Sequence, residues 1–200
     1  MLRLIGFYNY TVILTYLSLF SGLVGMKYAH SGRFGMAIFC LALSGICDLF
    51  DGAVARTKKD RTQEEKNFGI QLDSLCDVIC FGVFPAVFLY CNGVTSLLGF
   101  AILVLYVLCA LIRLAFFNVL EGQRQTKEGG CAKSYRGLPV TTAAILYPLV
   151  YLIGLALPQE VMLVVYHIVP FVMAVLFVWD FSVPKFDIGK IIFPEKENSK

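Results

Sequence analysis

Leu97-Leu98-Gly99-Phe100-Ala101-Ile102-Leu103-Val104-Leu105-Tyr106-Val107-Leu108-Cys109-Ala110-Leu111-Ile112 contains no charged side chain and no proline. A run of this kind closes its backbone hydrogen bonds inside hydrocarbon only as a helix. It sits within an apolar segment over residues 96–119, and five more segments of similar character lie at 10–26, 34–54, 68–90, 139–157 and 161–180. Each approaches or exceeds the roughly 20 residues that cross a bilayer, and no short alternating segments of a barrel occur. The composition agrees: of 200 residues 58% are hydrophobic and 16% charged, with a mean hydropathy of +0.74. The expectation is an all-α polytopic membrane protein with six transmembrane helices, residues 1–200 forming a single membrane domain.

The connections sort by charge. One side holds Arg3, the Lys58 to Lys66 stretch, Arg124 to Arg136 and the lysines of the C-terminal tail; the other holds Lys27, Arg33 and two turns without lysine or arginine. The positive-inside rule therefore predicts cytoplasmic N and C termini, and six spans agree in putting both on one side. A net charge of +3 gives no reason to expect a nucleic-acid partner. The seven cysteines lie mostly inside the apolar segments, so no disulfide framework is expected, and Cys76 and Cys80 read as small packing residues.

Against this background the acids stand out. The second segment ends Cys47-Asp48-Leu49-Phe50-Asp51-Gly52-Ala53-Val54-Ala55-Arg56, and the third begins Gly69-Ile70-Gln71-Leu72-Asp73-Ser74-Leu75-Cys76-Asp77. On a helix Asp48 and Asp51 are about 60° apart with Gly52 and Ala55 beside them, while Gly69, Asp73 and Asp77 advance by about 40° per step along one face. An antiparallel pair brings the two faces together. Four carboxylates at one depth repel unless cations lie among them, and an oxygen-only donor set favours Mg²⁺ or Mn²⁺, with enough charge for two ions. Helix capping and ion pairing with Arg56 would account for single acids, but less readily for four of them flanked by glycines.

The pattern D-x2-D-G-x2-A-R followed by G-x3-D-x3-D resembles the signature of the CDP-alcohol phosphatidyltransferases. Twelve residues, Thr57 to Phe68, separate its halves, where the family usually has about eight; the excess is expected to lengthen a cytoplasmic turn without moving the acids. Leu72-Asp73-Ser74, Phe81-Gly82-Val83-x-Pro85-Ala86, Arg113-Leu114-Ala115-x-Phe117-Asn118, Tyr135-Arg136-Gly137-Leu138-Pro139 and Val183-Pro184-Lys185-Phe186 are similar to the phosphatidylserine synthase branch. Departures from that branch are Phe116 in place of an arginine, Thr11-Val12 in place of Pro-Asn, and Ser18 in place of an asparagine.

The resemblance implies transfer of a phosphatidyl group from CDP-diacylglycerol to L-serine with release of CMP, at the cytoplasmic side of the cell membrane, by a homodimer embedded in membrane lipid. It implies metal ligation by Asp48, Asp51, Asp73 and Asp77, with Asp77 also the catalytic base, and binding of the CDP-lipid at Gly52, Ala55, Arg56 and Gly69. Serine carries a carboxylate, for which Arg113 and Arg136 are the candidate cations, with Asn118 as a further acceptor-binding residue. Snorkelling for Arg113, an ordinary inside charge for Arg136 and helix capping for Asn118 are the plainer readings. Rival functions are a related transferase using glycerol phosphate or inositol phosphate and, from another class, a cation-coupled transporter, against which stand the cytoplasmic position of the acids and the lack of a repeat.

Overall fold

A computed structural model describes residues 5–58, 60–126 and 134–184, excepting the side chains of residue 56, 123–126, 134–136 and 182–184. Its helices are α1 (Ile13–His30), α2 (Phe34–Thr57), α3 (Gln63–Asp77), α4 (Phe84–Cys91), α5 (Leu97–Thr126), α6 (Ala143–Gly154) and α7 (Gln159–Val178). A π-helical turn, Val78–Val83, joins α3 to α4 without a break, so the two make one span from Gln63 to Cys91. Five spans are long and apolar enough to cross a membrane. The fifth apolar segment of the sequence appears as a shorter helical stretch, Val140–Gly154, with Pro148 inside it.

Polar side chains set the starts and ends of these helices. Asn9 accepts the backbone N–H of Thr11 at 3.1 Å and starts the 3-10 turn that leads into α1. Gly32, at φ +71°, makes the left-handed turn between α1 and α2, a conformation that costs a side-chain-bearing residue. Thr62 and Glu65 form a reciprocal capping box at the start of α3. The charged stretch between the two acid-bearing segments is therefore only partly a loop: α3 begins at Gln63, five residues before the apolar segment does. Likewise α5 continues past the apolar 96–119 segment to Thr126.

Helix α1 packs most extensively on α2, and α7 on α5. The first of these interfaces is built of small and hydroxyl residues, which let backbones approach in a medium where burial of apolar surface offers little driving force. Ser18 and Ser44 lie 2.7 Å apart by their hydroxyls and each also donates to the other's carbonyl at 3.1 Å, while Ser21 donates to the Cys40 carbonyl at 2.8 Å. Ser18, one of the departures from the expected pattern, thus serves as a polar tie. The fully buried side chains include Phe81, Phe84 and Phe88 of the α3–α4 span, with Tyr106, Tyr147 and Phe177 from the opposite helices. Cys76 and Cys80 are buried free thiols within this packing. Outward-facing Phe20, Phe39, Leu98 and Leu152 leave an apolar exterior suited to lipid.

A second contact of small residues joins α2 to α6. A Cβ on Gly45 would lie 2.4 Å from the Cβ of Ala144, a short and rigid neighbour. Gly45→Ala is therefore expected to destabilise the bundle by about 1–3 kcal/mol through overpacking, read as a lower thermal midpoint in detergent. Gly122→Ala, on a helix position with open space around it, should leave that midpoint unchanged or slightly raised.

Two three-residue strands are the departure from an all-helical chain. Ser134–Arg136 (β1) pairs antiparallel with Ser182–Pro184 (β2), with Tyr135 opposite Val183. Two motifs far apart in the sequence therefore meet across the α6–α7 hairpin. Gly137, at φ +71°, follows β1; its N–H donates to the Phe181 carbonyl at 2.7 Å, and a Cβ there would press on the carbonyls of Trp179 and Phe177.

Candidate active site

Helices α2 and α3 run antiparallel and bring their acids together, as the helical spacing requires. One carboxylate oxygen from each of Asp48, Asp73 and Asp77 lies within 4.8 Å of the others. Asp51 stands beside them, its Oδ2 accepting from the Thr15 hydroxyl at 3.1 Å. Asp51 and Asp77 are only 9% and 8% exposed. The Oδ1 of Asp73 is buried with no hydrogen-bond donor, a costly state for an anionic oxygen unless a cation takes it up. Among the described residues the converging donor group holds carboxylates alone, with no imidazole or thiol in it, which is the donor set of a hard divalent ion. The residues therefore fit such an ion.

Next to the acids lies a pocket of about 130 Å³ lined by Thr11, Val12, Thr15, Asp51, Gly52, Ala55, Arg61, Lys66, Gly69, Ile70 and Asp73. Three of the four residues assigned from sequence to the CDP-lipid, Gly52, Ala55 and Gly69, line it together. Space around Gly52 is open, whereas a Cβ on Gly69 would lie 2.6 Å from the guanidinium of Arg61. The fourth, Arg56, has its side chain outside the described residues.

Sequence reasoning missed Thr11, Thr15, Lys66 and Arg61. Thr11 and Thr15 are four apart on one face, a signal that was available. Arg61 corrects the expectation that the longer spacer between the motifs is only a turn. Its side chain folds over Gly69, donates to the Glu65 carbonyl at 3.1 Å and enters the pocket. The spacer is anchored as well: Lys58 pairs with Glu65 at 3.0 Å, Asn9 donates to the same carboxylate at 3.4 Å, and the hydroxyls of Tyr10 and Thr57 lie 3.1 Å apart.

The residues assigned to the acceptor lie along α5 and the ribbon. Tyr106 donates to the Phe81 carbonyl at 2.6 Å, and the Ser74 hydroxyl donates to Asn118 at 2.8 Å. Arg113, between these two levels, comes near the depth of Asp77. It is 7% exposed, its guanidinium is 5.9 Å from the ring centre of Phe117, and its Nε faces Gly137. Asn118 also donates to Gln71 at 3.3 Å, so it braces the acid-bearing helix against α5. Arg136 belongs to β1, but its side chain lies outside the described residues, as do Lys185 and Phe186.

Comparison with known proteins identifies the family. Residues 8–179 match the sequence model of the CDP-alcohol phosphatidyltransferases, and the chain belongs to that family. It is 35% identical over 148 residues to the CDP-diacylglycerol–serine O-phosphatidyltransferase of Helicobacter pylori (strain ATCC 700392 / 26695), covering 73% of this chain and 58% of that protein. The archaetidylserine synthase of Methanothermobacter thermautotrophicus is 36% identical over 143 residues, covering 71% and 57%. The CDP-diacylglycerol–serine O-phosphatidyltransferase of Saccharomyces cerevisiae is 38% identical over 112 residues, covering 54% and 39%. The aligned part thus spans less than two thirds of each of these relatives. No solved structure matches the chain.

Proposed function

We propose that the chain transfers the phosphatidyl group of CDP-diacylglycerol to the hydroxyl of L-serine, giving phosphatidylserine and CMP, at the cytoplasmic side of the cell membrane. The observation that carries this reading is the convergence of Asp48, Asp73 and Asp77 within 4.8 Å, with Asp51 alongside, next to a pocket lined by Gly52, Ala55 and Gly69. The names of the relatives and the motifs around Arg113 and Gly137 support serine as the acceptor. The topology read here has six spans, with Val140–Gly154 as the short one, both termini cytoplasmic, and a homodimer as the working unit.

Two divalent ions, Mg²⁺ or Mn²⁺, held by Asp48, Asp51, Asp73 and Asp77, would neutralise charge on the phosphate oxygens and the leaving CMP. The remaining work falls to the chain's own groups. Asp77 takes the proton of the serine hydroxyl as its oxygen forms a bond to the phosphatidyl phosphorus. The anhydride P–O bond breaks, and its electron pair leaves with CMP. The open space at Gly52 admits the cytidine, and Arg56 offers a planar fork to a phosphate. Arg113, whose Nε faces Gly137, and Arg136, named by the family resemblance, hold the serine carboxylate. Asn118 holds α5 against the acid-bearing helix through Ser74 and Gln71.

The test is CMP release by the purified chain given CDP-diacylglycerol, Mg²⁺ or Mn²⁺, and serine, glycerol phosphate or inositol phosphate in competition. Release that requires both serine and the metal, with phosphatidylserine as product, is the expected result. Release driven by one of the other acceptors would reassign the substrate, and none with any acceptor would reject the reading.

A further inference from the structure

Two residues of opposite charge that line the same pocket each bury a polar atom, and these atoms do not satisfy each other. The Oδ1 of Asp73 has no donor, and the Nε of Arg61 has no acceptor. An ion pair between them would have been the simple outcome, since a guanidinium and a carboxylate match bidentately. The chain instead holds Arg61 elsewhere, by its bond to the Glu65 carbonyl and by its seat over the bare Gly69. Glu65 is in turn fixed by Lys58 and by the Thr62 cap. Lys66 adds a second cation to the same lining. A ligand that satisfies both orphaned atoms must present a cation to the acids and an anion to the guanidinium, and a metal-bound phosphoanhydride does both.

From this we infer that Arg61, contributed by the long spacer between the two halves of the acid motif, is a phosphate-binding residue for the nucleotide part of the donor. The inference rests on the proposed function, since it takes the donor to be a cytidine nucleotide, and it adds a residue outside the acid motif. The planar fork matters as well as the charge, because Arg61 already spends one nitrogen on Glu65 and has its Nε left for a phosphate oxygen. Gly69 has a second use on this account: besides room for a base, its missing side chain gives the guanidinium its seat.

The experiment measures the affinity of CDP and of cytidine for the full chain in detergent with saturating Mg²⁺, in the wild type, Arg61→Ala and Arg61→Lys. Loss of hydrogen bonds between charged partners should weaken CDP binding by about ten- to a hundredfold in Arg61→Ala. Arg61→Lys should fall between the two, and cytidine affinity should stay the same in all three. Unchanged CDP affinity in Arg61→Ala would overturn the assignment while leaving the proposed reaction in place. An equal loss for cytidine and CDP would also overturn it, marking Arg61 as a structural support of the pocket. If the wild type itself prefers CDP no more than cytidine, the donor reading fails, and the role of Arg61 with it.

Discussion

Asp48→Asn, Asp51→Asn and Asp73→Asn are each expected to abolish divalent-dependent turnover while the helical bundle stays intact. Asparagine keeps the shape of the side chain and removes its charge. Each variant therefore lowers the attraction of the cluster for a cation, and it also relieves repulsion among carboxylates packed within a few ångströms. The two effects have opposite signatures. In the absence of metal the thermal midpoint should hold or rise. The stabilisation that added Mg²⁺ or Mn²⁺ gives the wild type by binding the folded state should shrink or vanish. Activity should drop by about 10²–10³ or more, the range seen when one preorganised electrostatic group is removed from a transition state. CMP release and thermal shift across a metal titration read both effects. Full activity in any two of these variants would remove the acid cluster from the mechanism.

Asp77→Asn should behave differently. A base is needed only as the hydroxyl loses its proton, so its removal should lower kcat by about 10²–10⁴ and leave the affinity for CDP-diacylglycerol nearly unchanged. Asp77 is also one of the three residues whose oxygens converge within 4.8 Å, so a ligand role has to be separated from a base role. A lost ligand shows as a raised metal requirement that excess Mn²⁺ overcomes. A lost base persists at every metal concentration. Turnover of Asp77→Asn measured from limiting to saturating Mn²⁺, with nucleotide affinity in parallel, distinguishes the two. Recovery to near the wild-type rate would leave Asp77 as a ligand alone.

The spans were legible because a bilayer admits few backbone arrangements, and a run such as 97–112 leaves only one. The acids were legible for a related reason: charge at that depth is costly, so a spacing that puts Asp48, Asp51, Asp73 and Asp77 on two facing stripes has few structural explanations. What escaped the sequence reading lacked periodicity. The early start of α3 was masked by the charges of Thr62-Gln63-Glu64-Glu65, although Thr and Glu three apart are a capping signal in their own right. Arg61 was counted as one more inside charge, because only the folded spacer brings it over Gly69. Strands of three residues, 134–136 and 182–184, are too short to show alternation, and their pairing depends on two intervening helices. The π-helical turn left no mark in the hydropathy pattern.

That turn gives the third span two independent angular settings. A π-helical turn takes up one residue more than the α-helical share, so the helix beyond it is rotated by about 100° from where an uninterrupted helix would stand. Before Val78–Val83 the span aims Asp73 and Asp77 at α2; after it, Phe84 meets Gly25 of α1, and Phe88 stacks edge-on against Phe34 and Tyr151. The orientation of the acids is thereby uncoupled from the fit of the aromatic residues. Residues of α4 can be exchanged to suit a different neighbour or a different lipid without turning the carboxylates away from one another.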